Sequence, residues 1–237
     1  MIVYAHRGAR GYAPENTMAS FERALQFNTD GIELDVHLSK DGHVVICHDH
    51  TINRTSNAQG LIRDFTLREL KSYDFGSWYG SAFKGEQILT LSEFLEWYAP
   101  KNKLLNIEIK NGPIIYSDIE EKVIDILHKF NAVGRTIISS FYHPSLKKAK
   151  ELDNQIKTGI LFECRPINPL QMLIEANADY LHPYWQSLDK AFCQHAAASG
   201  VSINTYTINT CEEYNFAAKL GVNAIFTDYP ALFITRT

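Results

Sequence analysis

The sequence predicts an α/β barrel, and three observations support this fold class. Strand-like and helix-like segments alternate along most of the chain, which is typical of βαβ units around a largely parallel sheet. The chain has 237 residues, close to the about 250 residues of one such barrel. Gly200 and Gly221 each follow a helix-like segment, where a left-handed residue commonly ends a helix.

The strand and helix assignments follow from local patterns of apolar residues. Short apolar runs predict strands over 2–5, 31–37, 44–47, 104–109, 136–139, 157–162, 180–182, 202–207 and 224–226. Helical spacing, as for Phe21 and Leu25 after the cap candidates Asn16 and Thr17, predicts helices. These helices cover 17–27, 66–73, 118–130, 144–152, 169–176, 189–198 and 211–220.

The predicted strands exceed the places in a regular barrel by one. The link over 38–43 is too short for a parallel crossover, which needs about a dozen residues. Either the strands on its two sides form a local hairpin or one of them is accessory. The sequence therefore allows a barrel that departs from the regular eight-stranded form.

One segment, about 50–89, interrupts the alternation. It is polar and aromatic, contains several glycines and holds one clear helical piece over 66–73. We interpret it as a small insertion after a barrel strand, the third strand in the chain. Long insertions between a strand and its helix cover the active-site face of a barrel. The expected organisation is one domain over 1–237 that carries this insertion.

Composition excludes several classes of function. The net charge of −4 gives no basic field for nucleic acid or for an anionic membrane. No apolar run is long enough for stable membrane insertion, and the first residues lack a signal-peptide core. The four cysteines form no C-x-x-C pair. We therefore expect a cytoplasmic protein that acts on a small molecule.

Carboxylates on two predicted strands suggest a metal site. Glu33 and Asp35 are two residues apart, so they share a face of their strand about 6.6 Å apart. Glu108 and Lys110 share a face of a second strand in the same way. Buried carboxylates need a partner or a metal, and oxygen ligands suit a hard cation, Mg²⁺ or Ca²⁺.

Two histidines at predicted strand ends, His6 and His48, are candidate proton shuttles. The carboxyl ends of parallel strands are where barrel active sites form. Arg7 follows His6 directly and offers a planar fork for a phosphate group. His182, at another predicted strand end, is a candidate for lining the same pocket.

An ordered set of motifs runs from His6 to Pro230. The motifs are His6-Arg7-Gly8, Pro14-Glu15-Asn16-Thr17, Glu33-Leu34-Asp35-Val36, Asp41-Gly42 leading to His48-Asp49, Thr90-Leu91, Glu108-Ile109-Lys110 and Phe226-Thr227-Asp228-Tyr229-Pro230. In this order the chain resembles the glycerophosphodiester phosphodiesterase family. The resemblance implies a TIM-type (β/α)8 barrel with a small insertion. It also implies hydrolysis of glycerophosphodiesters to glycerol 3-phosphate and an alcohol.

The same resemblance implies roles for individual residues. One divalent cation would be held by Glu33, Asp35 and Glu108, while His6 and His48 would form the acid–base pair. Arg7 and Lys110 would lie near the phosphate.

The chain departs from the family pattern at two places. Tyr206 stands where the family often has tryptophan, in Thr205-Tyr206-Thr207, and Leu89 stands where it often has proline. Tyr206 would alter the pocket for the leaving group, so it is a candidate substrate-binding residue.

Two other functions remain open from the sequence. A related barrel phospholipase would need an apolar rim for lipid, which Trp78, Tyr79 and Phe83 could supply. A non-catalytic module that binds phosphorylated ligands is disfavoured because both histidines and all three carboxylates are present.

Overall fold

A closed ring of eight parallel strands forms the centre of the molecule in the computed structural model, which describes residues 1–234. The strands are β1 Ile2–Ala5, β2 Gly31–Leu38, β3 Val44–Ile46, β4 Leu104–Ile109, β5 Thr136–Ser140, β6 Lys157–Phe162, β7 Tyr180–Pro183, β8 Ser202–Thr205 and β9 Ala224–Thr227. The helices are α1 Met18–Gln26, α2 Leu67–Leu70, α3 Leu91–Tyr98, α4 Ile119–Lys129, α5 His143–Leu152, α6 Pro169–Glu175, α7 Lys190–Ala198 and α8 Cys211–Lys219.

The ring runs β1-β2-β4-β5-β6-β7-β8-β9 and closes between β9 and β1, which confirms the predicted TIM-type barrel. The ninth strand, β3, pairs antiparallel with β2 and lies outside the ring. Both readings of the surplus strand therefore hold, because the short link makes a hairpin and the second strand of the hairpin is accessory. The segment 50–89 follows the third strand of the chain, as predicted, and this strand is the accessory β3 instead of a strand of the ring.

The helices begin where the sequence supplies caps. Thr17, Thr90 and Thr210 each accept a hydrogen bond from the backbone three residues later, with a reciprocal bond from that later side chain. The buried faces of α1 and α3 meet at Phe21 and Phe94, whose ring centroids are 4.7 Å apart. This packing covers the outside of the ring and leaves the inner face of the strands for polar residues.

The segment 50–89 has its own apolar cluster. Together with Val45 of β3 and the following Cys47, its buried members are Ile52, Ile62, Leu70, Phe75 and Ile88. Its only α-helix, α2, has four residues and is shorter than the predicted helix over 66–73. No helix within residues 1–234 is both long and apolar enough to cross a membrane.

Candidate active site

The turn after β1 brings His6 and Arg7 into the mouth of the barrel. Arg7 has a positive φ of 54°, uncommon for a residue with a side chain. In this conformation its backbone N–H donates to Glu33 Oε2 at 2.7 Å. His6 Nδ1 lies 2.6 Å from Asp228 Oδ1, in the loop after β9. The carboxylate therefore orients the imidazole with its Nε2 side free for the pocket.

Three buried carboxylates converge on the inner face of β2 and β4. Glu33 and Asp35 alternate along β2, and Asp35 is the in-register partner of Glu108 on β4. One oxygen from each of the three lies within 4.8 Å of the others, so together they could hold a metal ion. The register of the two strands thus produces the cluster that side-chain alternation predicts.

The charges of this cluster are incompletely balanced. Burial raises the pKa of Glu33 and of Glu108, and the negative charge of Asp35 raises both further. The pKa of Asp35 lies well below its usual range although burial opposes this, because Lys110 and then Arg7 favour its charged form. Lys110 Nζ lies 2.5 Å from Glu108 Oε1 and 3.0 Å from Asp35 Oδ1. Asp35 Oδ1 nevertheless accepts no hydrogen bond of good geometry, so the hydrogen-bonding capacity of this buried oxygen is not fully used.

His48 reaches the site from outside the ring. β2 continues past the carboxylates, and β3 returns alongside it, so that Cys47 N donates to Asp35 O at 3.0 Å. His48 therefore follows an antiparallel strand, and its expected place at the end of a parallel strand is wrong. Its Nδ1 lies 2.6 Å from Asp49 Oδ1, as in the pair on β1. Burial, with the charges of Lys110 and Arg7, lowers the pKa of His48 to about 4.

An ion-pair network centred on the buried Glu15 joins the two histidine regions. Arg7 Nη1 donates to Glu15 Oε1 at 2.9 Å. Arg54, from the segment 50–89, donates to both oxygens of Glu15 at 2.8 Å and to both oxygens of Asp49 at 2.8 and 3.0 Å. Glu15 therefore braces the site. Arg54 is the only contribution of the segment to this network within residues 1–234.

The functional side chains surround one cavity of about 270 Å³. Its lining residues are His6, Arg7, Glu33, His48, Asn106, Glu108, Lys110, Ser139, Phe141, Leu161, Glu163, His182, Tyr184, Tyr206, Thr207 and Phe226. None belongs to 50–89, so the segment does not shape this cavity directly. Asp35 lies behind the lining, next to Glu33 and Glu108.

His182 lies in the floor of the cavity. It is fully buried, and Asn204 Nδ2 donates to its Nε2 at 3.0 Å. Burial lowers its pKa to about 3, so the ring is neutral. Gly159 on β6 makes room for it, because a Cβ there would lie 2.5 Å from the imidazole.

The structure brings together all nine residues singled out from the sequence. It also reveals partners to which sequence reasoning assigned no role: Asp49, Asp228, Arg54, Glu163 and Tyr184. Asp49 and Asp228 stood inside recognised motifs, which was the available signal. Nothing in the local sequence marked Arg54, Glu163 or Tyr184.

Comparison with known proteins gives consistent matches along the whole chain. A model of the glycerophosphoryl diester phosphodiesterase family matches residues 6–232. A glycerophosphodiester phosphodiesterase of Caldanaerobacter subterraneus is 42% identical over 233 residues, covering 98% of this chain and 96% of the relative. One of Bacillus altitudinis is 36% identical, with 96% and 94% covered.

A solved structure adds a bound product. The chain superposes on an Oleispira antarctica phosphodiesterase in complex with sn-glycerol-3-phosphate with a TM-score of 0.92 and 32% identity. The match covers 98% of this chain and 94% of that one.

Proposed function

Since the chain belongs to the glycerophosphoryl diester phosphodiesterase family, we propose that it hydrolyses glycerophosphodiesters to glycerol 3-phosphate and an alcohol. The observation that carries the proposal is the single cavity onto which two imidazoles, two cationic side chains and the carboxylate cluster converge. This set serves phosphodiester cleavage, which needs charge stabilisation at the phosphate and proton transfer at two oxygens.

A divalent cation, Mg²⁺ or Ca²⁺, fits the cluster of Glu33, Asp35 and Glu108. The ligands are all carboxylate oxygens, which hard cations prefer, and one buried oxygen of Asp35 accepts no hydrogen bond. Burial raises the pKa values of Glu33 and Glu108, the negative charge of Asp35 raises them further, and a dication would offset both effects. When bound, the cation supplies positive charge for the phosphodiester and for its transition state.

Arg7 and Lys110 hold the phosphate. Both line the cavity beside the carboxylates, and their side chains are largely buried, so their charges are weakly screened. Arg7 presents a planar fork and Lys110 a point charge. Tyr206 contacts the alcohol moiety, and His182 shapes the floor beneath the substrate.

His6 and His48 carry the protons. In each, Nδ1 faces an aspartate at 2.6 Å, so Nε2 is the nitrogen that faces the reaction. We assign His6 as the base that deprotonates the attacking oxygen, which belongs to water or to the glycerol 2-hydroxyl. His48 is the acid that protonates the leaving alkoxide. Its protonated form gains stability from Asp49 and from the negative charge of the bound phosphodiester.

The chain acts as one catalytic domain in which the segment 50–89 is an insertion. Its role at the site is support for His48 and Glu15 through Arg54.

A direct assay tests the function. Purified protein is incubated with glycerophosphodiesters of several head groups, and released glycerol 3-phosphate is measured with a coupled enzyme. We expect release that EDTA abolishes and that Mg²⁺ or Ca²⁺ restores. Absence of release from every ester in the presence of each cation would refute the proposal. Full activity after exhaustive chelation would refute the metal site alone.

A further inference from the structure

The cavity has a second half that the proposed chemistry does not use. Its wall carries three aromatic rings. Tyr206 meets Phe141 edge-on at 6.1 Å between ring centroids, and Tyr184 at 6.0 Å. Phe141 is 44% exposed and is therefore not part of the apolar core. These rings form a surface that faces the open cavity.

Glu163 belongs to the same half of the cavity. It is exposed and forms no ion pair with a basic side chain anywhere in residues 1–234. Arg165, two residues later, pairs with Asp189 instead. Glu163 lines the same cavity as Phe141, Tyr184 and Tyr206, so its carboxylate and the three rings border one space. Burial raises the pKa of Tyr206, and the negative charge of Glu163 raises it further.

The order of strands in the ring separates this half from the phosphate site. His6 and Arg7 follow β1, and the carboxylate cluster lies on the adjacent strands β2 and β4. Glu163 follows β6, which is directly across the eight-stranded ring from β1. The aromatic rings follow the neighbouring strands β5, β7 and β8. One side of the cavity thus carries His6, Arg7 and the carboxylate cluster, and the opposite side carries Glu163 with the aromatic rings.

An uncompensated carboxylate is unfavourable in a pocket for an anionic phosphodiester. Glu163 would repel the phosphate and would gain nothing from a neutral sugar or glycerol head group. As an exposed carboxylate it is solvated in the free protein, and it gains a favourable contact when the substrate carries a positive charge on the far side of the phosphate. Aromatic faces stabilise the same charge, and their use for quaternary ammonium groups is a recurring mode of recognition.

We infer that the preferred substrate is a zwitterionic glycerophosphodiester whose alcohol carries a quaternary ammonium group, as choline does. The inference rests on the proposed function. The phosphate lies against Arg7 and Lys110, and the ammonium lies against Glu163 and the rings of Phe141, Tyr184 and Tyr206. A primary ammonium, as in ethanolamine, is accepted less well because it is more strongly hydrated, and aromatic faces replace that hydration poorly.

The test compares two esters that differ in charge alone. Glycerophosphocholine and its carbon isostere, the 3,3-dimethylbutyl ester of glycerol 3-phosphate, have the same shape at the head group. We expect kcat/KM to favour the choline ester by about tenfold, the size of a cation–π and carboxylate contact in a partly exposed site. Both reactions are followed by release of glycerol 3-phosphate.

Two variants and one control test which residues cause the preference for the choline ester. Glu163→Gln and Phe141→Leu should each reduce the ratio of the two kcat/KM values by about threefold. Glu151→Gln removes an exposed carboxylate on α5 outside the cavity and should leave the ratio unchanged. Phe141 is exposed, so its replacement leaves the core intact.

Three outcomes would overturn the inference. Equal kcat/KM for the two esters would exclude a cation site while leaving the phosphodiesterase function intact. An unchanged ratio in both variants would exclude these residues as its cause. Hydrolysis of neither ester, with other glycerophosphodiesters also resistant, would remove the proposed function together with the inference.

Discussion

Arg54 donates a hydrogen bond to each carboxylate oxygen of Glu15, both at 2.8 Å, and so ties the segment 50–89 to the first loop of the barrel. The same guanidinium holds Asp49, and Asp49 faces His48. On the other side, Glu15 accepts a hydrogen bond from Arg7. One arginine outside the cavity therefore connects Arg7, the proposed phosphate ligand, with His48, the proposed acid.

Replacement of Arg54 should lower turnover without removing any group from the cavity. We expect Arg54→Gln to reduce kcat by about 10-fold to 100-fold, the range found when the hydrogen-bonded partners of site residues are lost. KM should change less, because Arg7 and Lys110 remain. Steady-state kinetics check this, with Arg63→Gln, an exposed arginine of the same segment, as the control. An equal loss in the control would assign the effect to general destabilisation.

Removal of either histidine should reduce kcat by about 10²–10⁴-fold, the contribution of one general acid or base. A nitrophenyl ester needs little protonation of its leaving group, so it should restore turnover to His48→Ala and not to His6→Ala. The measurement is kcat for each variant on a natural ester and on the nitrophenyl ester. Restoration of His6→Ala instead would reverse the two roles. Near-normal turnover of both variants would exclude the mechanism.

Glu33 should affect stability in opposite directions with and without metal. Its pKa is raised by burial and by the charges of Asp35 and Glu108, so its ionised form destabilises the metal-free fold increasingly as pH rises above 4.5. At pH 7 in EDTA, Glu33→Gln should therefore melt at a higher temperature than the parent protein.

The metal response of Glu33→Gln should be lost. In the parent protein, a cation at 100 times its Kd stabilises by about 2.7 kcal/mol, which raises Tm by roughly 5–10 °C. Thermal melts with Mg²⁺ or Ca²⁺ measure both effects, with the exposed Glu96→Gln as control. A normal metal-induced shift in Glu33→Gln would contradict the proposed ligand set.

Glu15 should make unfolding dependent on pH in the acid range. Burial raises its pKa, but the hydrogen bonds from Arg54 and the charges of Arg7 and Arg10 lower it to about 2, from an ordinary value of 4.5. The unfolded chain therefore takes up this proton first as pH falls. The stabilisation is complete above pH 4.5 and is lost as pH falls to about 2.

Urea unfolding at several pH values measures this contribution. The difference in unfolding free energy between the parent protein and Glu15→Gln should shrink by about 3 kcal/mol from pH 6 to pH 2.5. Glu151→Gln, which removes an exposed carboxylate, should show no such change. A difference that stays constant with pH would show that Glu15 is not held as an ionised group.

Side-chain alternation made the carboxylate cluster predictable from the sequence. Glu33, Asp35 and Glu108 face inward because their neighbours Leu34 and Ile107 face the helices, and this depends only on strand geometry. The bounds of the strands Leu104–Ile109 and Lys157–Phe162 were also predicted correctly, since each short segment is rich in apolar residues. The local sequence pattern was enough to predict a site residue when the geometry of its own strand determines which way its side chain points.

The positions of His48, Arg54 and Glu163 depend on contacts between distant parts of the chain, which local sequence patterns do not encode. A three-residue apolar run such as Val44–Ile46 indicates a strand but not its direction, so the position of His48 was misread. Arg54 lies in a segment without periodicity, and its partners Glu15 and Asp49 are apart in sequence. The proposed role of Glu163 depends on the order of strands in the ring, which places it opposite β1.

Because His48 follows the accessory strand β3, the protein can lose activity while the eight-stranded ring stays folded. Strand β3 pairs antiparallel with β2 on one side and bonds to Leu89 and Thr90 on the other. Val45 packs into the small apolar cluster of segment 50–89, Val44 and Ile46 pack against the barrel core, and the ring closes without β3. Local opening of such a unit requires less free energy than unfolding of the barrel. On warming, turnover should therefore decrease while the eight-stranded ring remains folded. Cooling should restore the turnover. Displacement of His48, the proposed acid, would therefore stop turnover at a lower temperature than the one at which the barrel unfolds.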